Sequence, residues 1–301
     1  MPRRGKTGDG TRATRVTWAA TDPNPDRLYR PAWTPGKRTR FQTMRPGRTL
    51  LRCDKVCVRF GGIAALDDVT FEVPEGTIVG LIGPNGAGKT TLFNCISRLY
   101  TVDSGAILFD GTSLLTRPRH QMAALGIART FQNVALFDSM TAAHNVMLGA
   151  HAPGRPRFLA DAFAGAAAAR RDRELAAEAE RLLEFVGLRG IAQRRVLDLP
   201  FGVRKRVELA RALAAKPRFV MLDEPIAGLN HAEIDDLTAL VRSLRDSMGV
   251  TVLLVEHHMG VVMHVSDTVV VLDFGRVIAD GPPGKIRNDP EVIRAYLGGT
   301  S

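Results

Sequence analysis

The chain has 301 residues, 45% hydrophobic and 24% charged, with a net charge of +10, which suits a water-soluble fold of one large domain or two modest ones. No apolar run approaches the roughly 18–20 residues that span a bilayer, and Arg3-Arg4 is followed by polar residues with no apolar stretch behind it. Neither a membrane span nor a secretory signal is expected, and the cytosol is the expected compartment.

The charge is unevenly spread. Residues 1–52 hold 13 Lys and Arg against three Asp, and the remainder holds 28 basic and 28 acidic side chains. The excess therefore belongs to a tail, gives the folded part no basic face, and supplies no reason to expect a nucleic-acid partner. Residues 1–50 have few aliphatic side chains, many Arg, Thr, Pro and Gly, and no apolar period, so they read as disordered. Three accounts of them stay open: a solvated tail, a translation start that belongs at Met44, or an arm on anionic lipid, where each basic residue adds roughly 1 kcal/mol.

From Leu51 the pattern tightens into one domain over 51–298. Residues 55–60 and 69–73 read as strands, the first an edge strand holding Cys53 and Cys57 nearby; 77–82 is a buried strand, followed by a Gly-rich loop and a helix to about Arg98 that holds Cys95. Buried or half-buried thiols are expected, with no metal site at this spacing. A short strand at 106–109 ends in the turn Asp110-Gly111. From about 138 to 202 the chain is helical in character, with an Ala/Glu/Arg-rich run at 160–186. Alternation then returns: helix 203–215, strand 219–222, helix 231–247, strands 251–255 and 268–272. This predicts an α/β fold with a parallel core sheet and an inserted helical lobe.

The segment Gly83-Pro84-Asn85-Gly86-Ala87-Gly88-Lys89-Thr90 follows an apolar strand and opens a helix, which is the setting that makes a phosphate-binding loop. Its glycines allow backbone N–H groups to converge, and the helix N-terminus adds a positive end. Lys89 supplies a charge for the outer phosphates of ATP, and the Thr90 hydroxyl can ligate Mg²⁺. Four apolar residues at 219–222 then lead into Asp223-Glu224 and Pro225. Paired acids at the end of so apolar a strand are costly without a cation. Asp223 is placed to hold Mg²⁺, directly or through water, and Glu224 to polarise the attacking water.

These motifs, in this order, resemble the ATP-binding subunits of ABC transporters over about residues 51–298. The resemblance implies a P-loop fold with an N-terminal antiparallel β subdomain. It assigns Gln132, in Ala128-Arg129-Thr130-Phe131-Gln132-Asn133, to the Q-loop that reaches Mg²⁺ and senses the membrane partner. Ala227-Gly228-Leu229-Asn230 matches the D-loop, His257 the switch histidine, and Phe60 the aromatic that stacks on adenine, while His258 stands where the family commonly has an acid. The implied catalytic set is Glu224, His257 and Gln132, and the implied metal set is Thr90, Gln132 and Asp223. Phe60, Gly83 to Thr90, Thr91 and Gly202 form the implied nucleotide-binding set. One motif departs from the family. Its signature is typically Leu-Ser-Gly-Gly-Gln, whereas the stretch here is Leu199-Pro200-Phe201-Gly202-Val203. A serine hydroxyl is missing at Pro200, and weaker γ-phosphate contacts are expected from this helix.

Three stretches resemble the branched-chain amino acid importer type: Arg59-Phe60-Gly61-Gly62, Glu256-His257-His258-Met259, and the C-terminal run from Gly281 to Gly298. The last resembles the larger of the two ATPases in such systems. The resemblance implies a second, similar ATPase, two transmembrane permease subunits and an external solute-binding protein. The ATPase would sit on the cytoplasmic membrane face, and residues 134–137 with the helical lobe would receive a permease coupling helix. Relatives of this architecture import urea or short amides, exporters share the core, and a soluble ABC ATPase acting on ribosomes or DNA is the alternative from another class.

Overall fold

The computed structural model describes residues 47–130, 134–150 and 165–297. In chain order the strands are β1 (Thr49–Phe60), β2 (Ile63–Pro74), β3 (Ile78–Ile82), β4 (Ser104–Phe109) and β5 (Thr112–Ser113), then β6 (Ile127–Arg129), β7 (Phe219–Asp223), β8 (Thr251–Val255), β9 (Thr268–Asp273) and β10 (Arg276–Gly281). The helices are α1 (Lys89–Ile96), α2 (Ala142–Ala150), α3 (Gly165–Phe185), α4 (Phe201–Ala214), α5 (His231–Met248), α6 (Met259–Val265), α7 (Pro283–Arg287) and α8 (Pro290–Leu297).

Two sheets form. The first is antiparallel, in the order β2-β1-β4-β5. Strand β1 is therefore interior, not the edge strand that its sequence suggested. Its second partner, β4, returns only after the phosphate loop and α1, so nothing local to 55–60 announces the pairing. β1 also starts earlier than expected. Leu50 and Leu51 are buried, and the Thr49 hydroxyl donates to Glu72 Oε2 at 2.6 Å. Residues 1–46 of the expected tail lie outside the described residues.

The second sheet runs β10-β9-β3-β8-β7-β6, parallel throughout except for β10. β3, β7 and β8 are buried at every residue, as strands covered on both faces require. β10 went unread in the sequence. Its hairpin turns on Phe274 and Gly275, at φ 41 and 79, a geometry usually announced by Asn-Gly or Asp-Gly. The sheets share one core that includes Leu50, Phe71, Phe93, Phe219 and Leu253. Arg218 crosses between them, donating to Asp110 Oδ2 at 2.8 Å and Glu75 Oε1 at 3.0 Å. Cys53 and Cys95 are buried in this core and Cys57 is half-buried; burial pushes the Cys95 thiol up to about 11.

Of the region 138–202 expected to be helical, residues 151–164 lie outside the described residues and the rest holds α2 and α3, which pack on each other and on α4. Buried Asn145 ties this lobe to the segment leading into it, accepting from Phe137 N–H at 2.8 Å and donating to Phe137 C=O at 3.0 Å. Helix α4 also packs against β6, so it belongs to the lobe and touches the sheet. Helix α5 starts at a capping box: Glu233 N–H donates to Asn230 Oδ1 at 3.0 Å, and Asn230 N–H donates to Glu233 Oε2 at 3.0 Å. A smaller core joins Ile82, Val269 and Val271 of the sheet to Val262 of α6, Ile286 of α7 and Val292 of α8. The C-terminal segment thus braces both the strand that feeds the phosphate loop and the helix that follows His257.

Candidate functional site

The parallel sheet delivers the phosphate loop, Glu224 and His257 to one end. β3 ends at Ile82 and the loop begins with Gly83, where a side-chain Cβ would come within 2.1 Å of the Leu272 carbonyl oxygen. At Gly88, with φ 101, a Cβ would meet the Ala65 carbonyl oxygen at 2.6 Å. Both glycines are therefore required by close approach. Lys89, the first residue of α1, is buried, and its Nζ donates to the carbonyls of Gly83 at 2.7 Å and Pro84 at 2.8 Å. Burial lowers the pKa of this ammonium, and Glu224 acts in the opposite direction.

A cavity of about 350 Å³ lies over the loop, lined by Ala65, Asn85, Gly86, Ala87, Gly88, Lys89, Thr90, Thr91, Glu224 and His257. It brings together most of the residues picked from the sequence. Ala65 is an addition that only tertiary structure supplies. The donor set fits a polyphosphate: a helix N-terminus, an ammonium, and two threonine hydroxyls. Thr90 offers a hard oxygen suited to a divalent cation bound alongside phosphate oxygens.

Glu224 follows β7 with φ 47, a left-handed conformation that is unfavourable for a non-glycine residue and concentrates at functional sites. It is pinned from both sides. Its N–H donates to the Val255 carbonyl at 2.9 Å, and its own carbonyl accepts from Lys205 Nζ at 3.0 Å. Its carboxylate Oε1 lies 2.6 Å from His257 Nε2. Sequence reasoning named these two residues separately and did not foresee that they touch.

Asp223, Phe60 and Gly202 do not line this cavity. Asp223 is buried, and its Oδ2 accepts from Arg129 Nη2 at 2.8 Å. Phe60 is half exposed at the end of β1, with its ring edge-to-face on Tyr100 at 5.4 Å between centroids. Gly202 lies in the first turn of α4, where a Cβ would come within 2.6 Å of Glu233 Oε1, so the cap of α5 presses on this helix start. Gln132 lies outside the described residues. Pro200 occupies the N-cap of α4 at φ −57 and ψ 155, with no side-chain cap hydrogen bond.

Three charged residues went unread. Lys205 of α4 also donates to the Pro225 carbonyl at 3.1 Å and stands 5.3 Å from the Phe201 ring centroid; burial lowers its pKa. Glu256 is buried beyond β8, accepting from Ile226 N–H at 2.8 Å on Oε1 and from His257 N–H at 3.2 Å on Oε2. It thus joins the start of the Ala227–Asn230 segment to the histidine. Burial pushes Glu256 up to about 7, against the pull of these two N–H donors. Arg129 completes the set. For Glu256 and Arg129 the available signal was the one that exposed Asp223 and Glu224, a charge set at the end of an apolar strand, whereas Lys205 stands inside the basic run Arg204-Lys205-Arg206 and had no such signal.

Comparison with known proteins agrees with this geometry. A family model described as ABC transporter matches residues 66–227, and one described as branched-chain amino acid ATP-binding cassette transporter matches residues 276–300. The chain is 45% identical over 251 residues to the high-affinity branched-chain amino acid transport ATP-binding protein BraF of Pseudomonas aeruginosa, covering 83% of this chain and 98% of that protein. It is 41% identical over 249 residues to the corresponding protein LivG of Escherichia coli strain K12, again covering 83% and 98%. Among solved structures, a nucleotide-free ATP-binding cassette from an ABC transporter superposes with a TM-score of 0.72 at 30% identity, covering 83% of this chain and 99% of that one. The ADP conformation of such a cassette gives 0.72 at 31% identity with the same coverage.

The raised Glu256 carboxyl predicts a pH signature. A folded-state pKa above the unfolded value stabilises the fold below about 4.5, and that contribution is lost as pH rises through about 7. Chemical denaturation of the wild-type chain and of Glu256→Gln should therefore show the wild type losing stability relative to the variant across that window. Parallel pH profiles would remove the assignment.

Proposed function

The chain belongs to the ABC transporter family of ATP-binding proteins, whose ATPase activity is coupled to transport, and from that premise we propose that it powers an importer of branched-chain amino acids. The observation that carries the proposal is the cavity where Lys89, Glu224 and His257 meet at the end of the parallel sheet. The substrate class is supported by the C-terminal match at residues 276–300 and by the relatives named for such transport. An importer of urea or short amides remains the alternative to be separated by experiment.

In this proposal the glycine loop and the N-terminus of α1 hold the phosphates of ATP, and Lys89 exchanges the carbonyls of Gly83 and Pro84 for the outer phosphates. Mg²⁺, when bound, would neutralise charge developing on those phosphates. Thr90, Gln132 and Asp223 are the residues assigned to hold it. Glu224 orients the attacking water and accepts its proton, and His257 steadies the Glu224 carboxylate and turns toward the γ-phosphate. Phe60 stacks on adenine, for which its half-exposed ring is available.

The partners follow from the same reading. A second ATPase supplies the signature helix that closes over this nucleotide, while α4 of this chain, with Gly202 in its first turn, caps the nucleotide of that partner. Two permease subunits dock beside the helical lobe, where a groove of about 700 Å³ is lined by residues including Arg119, Phe137, Leu148 and Arg211. Phe137 and Leu148 are exposed there, and with the arginines they suit an amphipathic helix carrying acidic residues. An external binding protein delivers the solute. Among the described residues no helix is long and apolar enough to cross a membrane, which fits a peripheral subunit on the cytoplasmic face.

Two measurements test this. With the chain assembled alongside its permeases and second ATPase in vesicles, ATP should drive uptake of a branched-chain amino acid. Glu224→Gln should abolish that uptake and trap a closed, ATP-bound complex. Undiminished turnover in this variant would contradict the base assignment, and uptake confined to urea or amides would overturn the substrate. In the same assembly Pro200→Ser restores a hydroxyl at the N-cap of α4. Such a donor to a charged group is worth about 1.5–3 kcal/mol, so nucleotide affinity or ATPase rate should rise about tenfold or more. No change in either would mean that the departure at Pro200 is neutral.

A further inference from the structure

We propose that Arg129 is a positioning residue of the hydrolytic site: it holds one oxygen of Asp223 so that the other is presented in a fixed direction for a divalent cation. The inference rests on the proposed metal role of Asp223 and adds a residue to which the motifs assign no role.

Arg129 is the last residue of β6, paired in parallel with Met221 of β7, so it stands two residues before the end of its neighbour at Asp223. One ends in a cation and the other in a carboxylate. Both terminal nitrogens of the guanidinium are engaged. Nη2 donates to Asp223 Oδ2 at 2.8 Å, and Nη1 donates to Asn94 Oδ1 at 2.8 Å and Ser97 Oγ at 2.9 Å. Its plane carbon also stands 5.5 Å from the Phe93 ring centroid. Asn94 belongs to α1 and Ser97 follows it directly, so one side chain ties the phosphate-loop helix, the strand leading to Gln132 and the carboxylate at the end of β7.

The geometry selects orientation as the role. Asp223 is 6% and Arg129 11% exposed at their side chains, so neither is a surface ion pair of small consequence. A lysine would carry the charge, yet as a single point donor it cannot span Asn94, Ser97 and Asp223 together. A carboxylate held at Oδ2 has its plane fixed, and a cation approaching Oδ1 meets a preset ligand. Arg129 also lines the groove between sheet and lobe, together with Ser97, Phe137 and Arg211. It therefore stands between that groove and Asp223.

The test uses the full chain and Mn²⁺ as the metal, followed by electron paramagnetic resonance at saturating ADP. ADP binding in EDTA is measured separately. Asp223→Asn serves as the reference variant. Arg129→Gln should weaken Mn²⁺ binding about tenfold while leaving metal-free ADP binding within about twofold of wild type, and Arg129→Lys should recover part of the loss. If Arg129→Gln is too unstable to purify, Ser97→Ala combined with Asn94→Ala removes the supports of Nη1, and a smaller loss in the same direction is expected. Unchanged or tighter Mn²⁺ binding in the Arg129 variants overturns the inference, as does an equal loss of metal-free ADP binding, which would mark a general structural defect. Should Asp223→Asn itself leave Mn²⁺ binding untouched, the metal role of Asp223 falls and this inference with it. A loss with Asp223→Asn alone would remove only Arg129.

Discussion

In the six-stranded sheet β8 lies between β3 and β7, and this parallel pairing sets the position of every group near the phosphate loop. Leu81 of β3 and Asp223 of β7 both pair with Val255, the last residue of β8. The loop therefore begins, Glu224 emerges and His257 follows within one row of strand ends. Because side chains alternate along a strand, a slip of one residue in β7 would turn each of its side chains, Asp223 included, to the other face. The register is held by the apolar burial of all three strands, so the site inherits its precision from the core.

Around that row the protein places charges where charges are expensive. Lys89, Lys205, Glu208, Asp223 and Glu256 are all buried, and each must be offset by partners. The partners are mostly backbone. Lys89 and Lys205 donate to carbonyls, and Glu256 accepts from two N–H groups. Such bonds fix the loops that carry them, including the left-handed Glu224 and the segment starting at Ile226. Buried charge here serves shape more than stability. The signature helix is drawn into the same arrangement, since Lys205 of α4 grips Glu224 and Pro225, and Glu208 and Arg211 of α4 hold the Ala135 backbone.

Much of this was legible in the sequence because it depends on local chemistry. The phosphate loop, the strand ending in Asp223-Glu224 and the capped helix after Asn230 each announce themselves within about ten residues. Helix α3 was legible from its Ala/Glu/Arg-rich composition. What escaped was non-local or sterically unusual. The interior place of β1 depends on β4 from beyond α1, and β10 depends on Phe274 adopting a positive φ. The contact between His257 and Glu224 and the grip of Arg129 on Asp223 arise from strands adjacent only in the folded sheet. The motifs set Asp223 and Glu224 together at the end of one apolar strand, with a separate role for each. In the fold Glu224 lines the cavity with His257, while Asp223 accepts from Arg129 on one oxygen.

We propose that the residues gathered over the phosphate loop are half of a site, completed by a helix of a second ATPase. ATP hydrolysis per chain, followed as the purified protein is diluted with and without its partner ATPase, tests this most directly. A composite site predicts that the rate per chain falls on dilution and is restored by the partner. A rate independent of dilution and indifferent to the partner would show that this chain hydrolyses ATP alone.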